Sequence, residues 1–464
     1  MVTKICCIGA GYVGGPTMAV IANECPQLKV VVVDQNQKKI KSWNNKSLKE
    51  LPIYEPGLKE LIEKTRNKNL YFSEDIDKAI EESDIIFMAV NTPTRKTGKG
   101  KGFAADLTNV EACAKRIALK SKSDKIVIEK STLPVRTAEK IKEVLKKFNK
   151  KNNFEVISNP EFLAEGTAIE NLYKSDRVLV GGENTDSGKR AVNILVEIYK
   201  NWIPESKILK TNVWSSELAK LASNAMLAQR ISSINSFSAI CEKTGASIQE
   251  ISKAIGMDSR IGPEFLEPSV GFGGSCFKKD ILNLVYLARF YKLNDVADYW
   301  HNVVKINSFQ MMRFAENITN HIKENKKNKV VTVLGWAFKG NTNDSRESPS
   351  IYVSSYLLEK GINIKIYDPM VPKERIKSDL NNYFILNGFK LNQVNKLLKK
   401  VKIYKSLLEA VHESPIIAII TKWEEFQNFD WYLYMKQTKN KPFVFDGVNA
   451  IKNKDITNMY SLGN

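Results

Sequence analysis

The chain is predicted to be an α/β protein with two doubly wound sheets separated by a helical stretch. Three observations lead there. Short apolar runs alternate with helical patterns at the start of the chain: Lys4-Ile5-Cys6-Cys7-Ile8, Val30-Val31-Val32-Val33, then Asp84-Ile85-Ile86-Phe87-Met88-Ala89-Val90. That alternation is the signature of parallel strands joined by crossover helices. From Trp214 to Trp300 the pattern turns helical, and from Lys329 a second series of strand-like runs begins. A chain of 464 residues exceeds one ordinary core, so two or three domains are expected. The expected limits are 1–210 (α/β), 211–325 (helical) and 326–464 (α/β), with a polar linker at 321–329.

Bulk properties narrow the function classes. Hydrophobic content of 43% and charged content of 26% are those of a globular protein. The N-terminus runs straight into a strand-like segment instead of a signal peptide. No apolar run approaches a membrane span in length. Six cysteines (Cys6, Cys7, Cys25, Cys113, Cys241, Cys276) are scattered, with no CxxC pair or disulfide framework. A reducing, cytoplasmic setting is expected, with no metal site and no membrane partner. The net charge of +19 would suit nucleic acid. However, the lysines are spread through the chain in helical surface runs such as residues 140–147, and no nucleic-acid module is present. A solvated lysine-rich surface that attracts phosphorylated small molecules is the reading taken, with no nucleic-acid partner.

Taken in order, the first strand leads into Gly9-Ala10-Gly11-Tyr12-Val13-Gly14, a GxGxxG opening a helical pattern. Gly9 allows the tight turn, Gly11 admits a pyrophosphate, and Gly14 packs helix on strand. The second strand ends in Asp34, roughly 20 residues on, where an acid binds a ribose 2′-hydroxyl and disfavours a 2′-phosphate. A Rossmann domain holding NAD is the expectation. Two further strands, residues 84–90 and 125–130, run into Asn91-Thr92-Pro93-Thr94 and Ser131-Thr132-Leu133-Pro134. Ligands of open α/β sheets sit beyond the carboxyl ends of strands, which puts both turns near a nicotinamide ribose.

After a strand at 154–157 comes Ser158-Asn159-Pro160-Glu161-Phe162-Leu163-Ala164-Glu165-Gly166. Glu161 and Glu165, spaced i and i+4, are expected on one helical face, suited to proton transfer or cofactor binding or simply to a helix first turn. Lys220 and Asn224 share the next helical face, where they can supply N–H donors to an oxyanion. Arg260 falls in a loop. The stretch Ser269-Val270-Gly271-Phe272-Gly273-Gly274-Ser275-Cys276-Phe277-Lys278-Lys279-Asp280 surrounds a cysteine with glycines and lysines. It fits a thiolate favoured by nearby lysines, with Asp280 positioning water, and equally a Gly-rich turn ending in a buried cysteine. In the second strand series, 329–335, 363–369, 416–420 and 443–446 are strand-like, without a full GxGxxG.

Over essentially its whole length the chain resembles the UDP-glucose dehydrogenases of the UDP-glucose/GDP-mannose dehydrogenase family, in their animal form. The stretches that carry the resemblance are GAGYVGGPT, LPIYEPGL, SNPEFLAEGTAI, WSSELAKLASNA, LAQRISSINS, SVGFGGSCFKKD, DSRESPSIYVS and FDG. The resemblance implies an NAD-binding Rossmann domain, a central helical domain for dimerisation and catalysis, and a C-terminal Rossmann-like domain that binds the UDP-sugar. It implies oxidation of a UDP-glucose alcohol to a carboxylate with two NAD+. Cys276 would be the nucleophile, Lys220 and Asn224 the oxyanion stabilisers, Asp280 and Thr132 the water holders, and Glu161 an acid or base. For the cofactor it implies Gly9, Ala10, Gly11, Tyr12, Val13, Gly14, Asp34, Lys39 (an arginine in the animal enzymes), Val90, Asn91, Thr92, Pro93, Thr94, Ser131, Thr132, Leu133, Glu165 and Arg346. For the UDP-sugar it implies Glu161, Phe162, Leu163, Ala164, Glu165, Lys220, Asn224, Arg260, the backbone of Glu267, Pro268, Ser269, Val270, Gly271, Phe272 and Gly273, and also Phe338 and Lys339. Arg260 would reach a substrate held by a neighbouring subunit, which implies a homo-oligomer, a dimer or a hexamer built from dimers. Two departures stand out: Val448-Asn449 after Asp446-Gly447, where the family has an arginine, and Glu267 in place of a lysine.

Overall fold

The computed structural model describes residues 2–325, 327–439, 441–452, 456 and 458–464. It forms two compact units, Met1–Ser223 with Leu282–Lys292, and Asn224–Ile281 with Leu293–Asn464. The first unit holds an eight-stranded sheet: β1 (Lys4–Ile8), β2 (Lys29–Val33), β3 (Leu70–Ser73), β4 (Ile85–Met88), β5 (Lys125–Glu129), β6 (Phe154–Ser158), β7 (Val178–Gly182) and β8 (Ile208–Asn212). Their order is β3-β2-β1-β4-β5-β6-β7-β8. The first six run parallel, with Ile5 beside both Val30 and Ile85; β7 reverses direction against β6, and β8 follows β7.

The inner strands of such a sheet are covered on both faces, so β1 and β4 are apolar at nearly every position. In β1, Ile5 and Cys7 enter one core while Cys6 and Ile8 enter the other. The helix Gly14–Glu24 lies in the first core against Trp43, and a Cβ on Gly15 would stand 2.4 Å from the indole. Trp43 is fully buried, stacks on Phe72 with ring centroids 4.6 Å apart, and donates its indole N–H to Ala10 O at 3.1 Å. It thus supports the glycine turn from below.

The second unit holds a six-stranded parallel sheet: β9 (Val330–Leu334), β10 (Asn363–Tyr367), β11 (Val401–Ile403), β12 (Ile416–Ile419), β13 (Phe443–Asp446) and β14 (Met459–Ser461). Its order, β11-β10-β9-β12-β13-β14, repeats the 3-2-1-4-5-6 winding of the first six strands of the other sheet. The α/β fold with an intervening helical region is therefore as expected. Strands β3, β7, β8, β11 and β14 go beyond the sequence reading. β8 is a half-exposed edge strand with Leu209 in solvent, so it carries no apolar run to read.

One correction concerns the stretch 321–329. The helix Asn294–Glu324 continues through its first four residues, because Phe314, Ile318 and Ile322 hold one face of it in the core of the six-stranded sheet. The His321 and Phe443 rings meet at a tilt, with centroids 3.9 Å apart. Lys326, the expected start of the last domain, lies outside the described residues. Among the described residues no helix is long and apolar enough to cross a membrane.

Replacing Trp43 with Ala leaves a cavity beneath the first glycine turn. Denaturant unfolding of the variant is expected to show a loss of about 3–5 kcal/mol; an unchanged midpoint would contradict this packing role.

Candidate active site

Gly9 has φ +119°, and a Cβ there would lie 2.2 Å from Ala89 O; a Cβ on Gly14 would lie 2.0 Å from Gly9 O. These two glycines let β1, β4 and the following helix close on one another. A Cβ on Gly11 would meet nothing within 4 Å, so this position faces open space. At the end of β2, Asp34 accepts from Ala10 N at 3.0 Å, Asn36 N at 2.9 Å and Lys39 Nζ at 2.8 Å. Burial works to raise the Asp34 carboxyl, but the hydrogen bonds from Lys39, Asn36 and Ala10 outweigh it and hold it below the usual carboxylate range. An open glycine face with an ionised acid beside it fits a dinucleotide.

The six-stranded sheet has an aspartate at the equivalent place, after β10, with a different environment. Asp368 Oδ2 accepts from Trp336 N, Ala337 N and the Trp423 indole, and Oδ1 from Met370 N and Val371 N. Both oxygens are fully engaged within the protein. This sheet does not reproduce the ribose-binding acid.

The turns after β4 and β5 are joined to each other. Ser131 Oγ donates to Val90 O at 2.7 Å, and Thr92 Oγ1 to Thr132 O at 3.1 Å. This brings together the expected Val90–Thr94 and Ser131–Leu133 segments. After β6, Glu161 and Glu165 do not share a helical face: residues 159–167 are non-helical, and the next helix is Ala168–Tyr173. Pro160 and Gly166 (φ +84°) oppose an earlier start, and buried Glu55 takes the loop's amides, Gly166 N at 2.8 Å and Ala168 N at 3.1 Å. Glu161 is buried 3.7 Å from Lys220 Nζ, with its Oε2 unpartnered, and Lys220 lies 5.1 Å over the Phe162 ring. Leu163 and Ala164 continue this loop, and Ala164 N is held by Asn171.

In the second unit, Asn224 Nδ2 donates to Asp280 Oδ2 at 2.6 Å, and Lys279 Nζ to Asp280 Oδ1 at 2.6 Å. Asp280 is wholly buried and lies one turn after Cys276, whose carbonyl accepts Asp280 N at 2.8 Å. None of the six cysteines forms a disulfide; five are buried, and Cys276 is half-buried. Burial pushes Cys6, Cys7 and Cys241 up, Cys25 to about 11 and Cys113 to about 12, so these five are poor thiolates. Ser275 Oγ sits 3.5 Å from Cys276 Sγ. Of the two readings of the glycine-rich stretch, the geometry favours an accessible thiol over a buried one.

The loop before Cys276 is suspended from helix side chains. Asn235 Oδ1 accepts Ser269 N, Asn307 bonds Phe272 at both N and O, and Gln310 Nε2 donates to Ser269 O. Gly273 and Gly274 press against Phe338, and Gly447 against Val270. Asn235, Asn307, Gln310 and Glu55 were missed by sequence reasoning; polar residues among the apolar positions of a helix were the available signal for the first three. Lys339 lies 5.9 Å over Phe338, and Arg346 pairs with Asp344 at 2.7 Å. Arg260, expected to reach a neighbouring subunit, and Glu267, expected to contribute its backbone, have exposed side chains. Arg260 is 87% exposed and pairs with its neighbour Asp258, and Glu267 is 80% exposed and pairs with Lys422.

Three family models of the UDP-glucose/GDP-mannose dehydrogenase family match in chain order: its NAD binding domain at residues 3–203, its central domain at 214–309, and its UDP binding domain at 332–453. The chain belongs to this family. As a member it is an NAD-dependent oxidoreductase. It is 52% identical to the UDP-glucose 6-dehydrogenase of Mus musculus over 96% of this chain and 89% of that one. It is 49% identical to UDP-glucose 6-dehydrogenase 5 of Oryza sativa subsp. japonica over 99% and 97%. A solved UDP-glucose dehydrogenase from the archaeon Pyrobaculum islandicum superimposes with TM-score 0.83 at 27% identity, covering 100% of this chain and 98% of the other.

Gly11 and Gly14 of the first glycine turn differ in what they tolerate. Gly11→Ala is expected to unfold like the parent while weakening NAD by about tenfold or more, because the new methyl meets only the ligand. Gly14→Ala forces a backbone shift and is expected to cost about 1–3 kcal/mol of stability. Calorimetric NAD titration with thermal unfolding separates the two; equal behaviour would refute the assignment.

Proposed function

We propose that this dehydrogenase oxidises UDP-glucose to UDP-glucuronate with two NAD+, through a thiohemiacetal and a thioester on Cys276. The observation that carries the reading is the half-buried Cys276 one helical turn before a buried Asp280 held by Asn224 and Lys279. The two sugar-nucleotide dehydrogenase relatives near 50% identity support the substrate. Bound NAD+ supplies the hydride acceptor for both oxidations. Lys220 and Asn224, one turn apart on the helix Val213–Thr244, stabilise the oxygen as it gains negative charge. The Cys276 thiolate adds to the aldehyde carbon, giving a tetrahedral centre that can be oxidised to the thioester. Asp280 and Thr132 hold the water that attacks the thioester, and Glu161 takes or returns the proton; the carboxylate leaves and the Cys276 thiol is restored. The buried, unpartnered Glu161 Oε2 supports that role, since it is open to a proton donor.

The domain limits 1–210, 211–325 and 326–464 belong to the same proposal, as does a cytoplasmic setting with six thiols outside any disulfide. So does a homo-oligomer. Phe237, Ile240 and Met257 are 45%, 57% and 79% exposed on the helical segment, apolar surface that a second copy would cover.

The decisive experiment is NADH formed per UDP-glucose consumed, with GDP-mannose and UDP-N-acetylglucosamine in parallel. Two NADH per UDP-glucose are expected, with little from the others; turnover confined to another sugar would overturn the substrate. Cys276→Ser should reduce carboxylate formation by about a thousandfold, or ~4 kcal/mol, while NAD binds as before. Parent-like rates would remove Cys276 as nucleophile. Asn224→Ala leaves Asp280 short of a donor, and kcat should fall about 10–100-fold with NAD affinity unchanged.

A further inference from the structure

Glu129 and Glu217 form a buried pair of acids that the reaction scheme above does not use. Glu129 closes β5 directly before the Ser131–Leu133 turn; Glu217 lies one turn before Lys220 on the helix Val213–Thr244. They are 1% and 3% exposed. Glu217 Oε2 accepts Arg136 N at 2.7 Å and its Oε1 accepts Ala138 N at 2.8 Å, where the helix Thr137–Phe148 begins. A helix N-terminus with two amide donors favours an ionised carboxylate. Glu129 has no such support. Neither of its oxygens receives a well-formed hydrogen bond, and the polar side chains that face it are the Glu217 carboxyl and the Ser158 hydroxyl.

Two acceptors in contact can bond only if a proton lies between them, and two bare charges buried this deeply would repel. The cations nearby are committed elsewhere. Lys130 Nζ donates to Asn159 Oδ1 and Tyr199 OH, Arg136 pairs with Glu139, and Lys220 faces Glu161. Burial first, and then the charge of Glu217, hold the Glu129 carboxyl well above the usual carboxylate range. The placement is equally informative. The segment from Ser131 to Val135 is tied at its start by Glu129 and at its end by the amides that Glu217 holds. Glu217 also belongs to the helix that carries Lys220.

We propose that Glu129 is a positioning residue: it keeps a proton that it donates to Glu217, and the shared proton fixes the Thr132 turn to the Lys220 helix. The proposal rests on the roles given to Thr132 and Lys220, but its stability and infrared tests do not. The sign follows from linkage. The folded state holds a proton that the unfolded chain has released above the ordinary Glu range. Stability is therefore greatest at low pH and falls by about tenfold in the folding equilibrium per pH unit until Glu129 ionises in the fold. Loss of the proton separates the two carboxylates and displaces both catalytic segments.

The test compares parent, Glu129→Gln and Glu129→Leu as full chains, by kcat and KM against pH and by thermal unfolding against pH. Gln still donates an N–H to Glu217 and cannot ionise. Glu129→Gln should keep kcat within about threefold at neutral pH, move the alkaline fall of kcat up by about one pH unit or more, and unfold at temperatures less sensitive to rising pH. Glu129→Leu should remain folded but lose kcat by about tenfold or more with NAD affinity preserved. Superimposable pH profiles of kcat and of unfolding for parent and Glu129→Gln would overturn the proposal. Should the variants not fold, the parent's infrared spectrum decides. A protonated-carboxyl stretch is expected at neutral pH and should fade on alkaline titration, and its absence at neutral pH would refute the shared proton. Failure of kcat alone, with the unfolding and infrared results as expected, would point to the roles of Thr132 and Lys220 instead.

Discussion

Carboxylates that accept backbone N–H groups hold the functional loops of this protein. Strands of a parallel sheet end in turns whose amides have lost their ladder partners, and a buried amide without a partner is costly. Here the partner is repeatedly an acid distant in sequence: Asp34 for the glycine turn, Glu55 for the loop after β6, Glu217 for the start of the helix after β5, and Asp368 in the second sheet. Each such acid fixes the direction of the amides it accepts. Loops that would otherwise be mobile become rigid enough to place ligands.

The same device has two outcomes in two sheets of the same winding. Asp34 receives two backbone amides and one flexible lysine, and stands beside an open glycine face. Asp368 is saturated by four backbone amides and an indole. Gly335, which follows β9 as Gly9 follows β1, is filled from the side by Thr421, where a Cβ would lie 2.3 Å away. Equivalent topology therefore supports a dinucleotide turn in one sheet and a structural corner in the other. Strand order by itself does not assign function.

A further contrast separates the cysteines. Five cysteines are buried in apolar cores and serve as small hydrophobic groups, whereas Cys276 leads a helix beside a buried acid. A thiol in a core stays protonated; one near solvent and polar groups can ionise. The loop that delivers Cys276 is hung from Asn235, Asn307 and Gln310, so packing of the long helices controls where the sulfur lies.

Much of this was legible in the residues themselves. Apolar runs such as Val30–Val33, followed by Asp34, and the GxGxxG before them specified the α/β fold and the glycine turn, because strand burial and the φ of Gly9 are local demands. The stretch around Cys276 likewise declared its residues, though not its exposure. What the sequence could not specify were long-range pairings. Glu161 and Glu165 had helical spacing, yet Pro160, Gly166 and the distant Glu55 keep their loop non-helical. Glu129, Glu217, Asn235 and Asn307 look like any other polar residue until folding removes water from them. Local pattern determined which elements form, whereas only tertiary packing decided which polar groups lost their solvent and which partners replaced it.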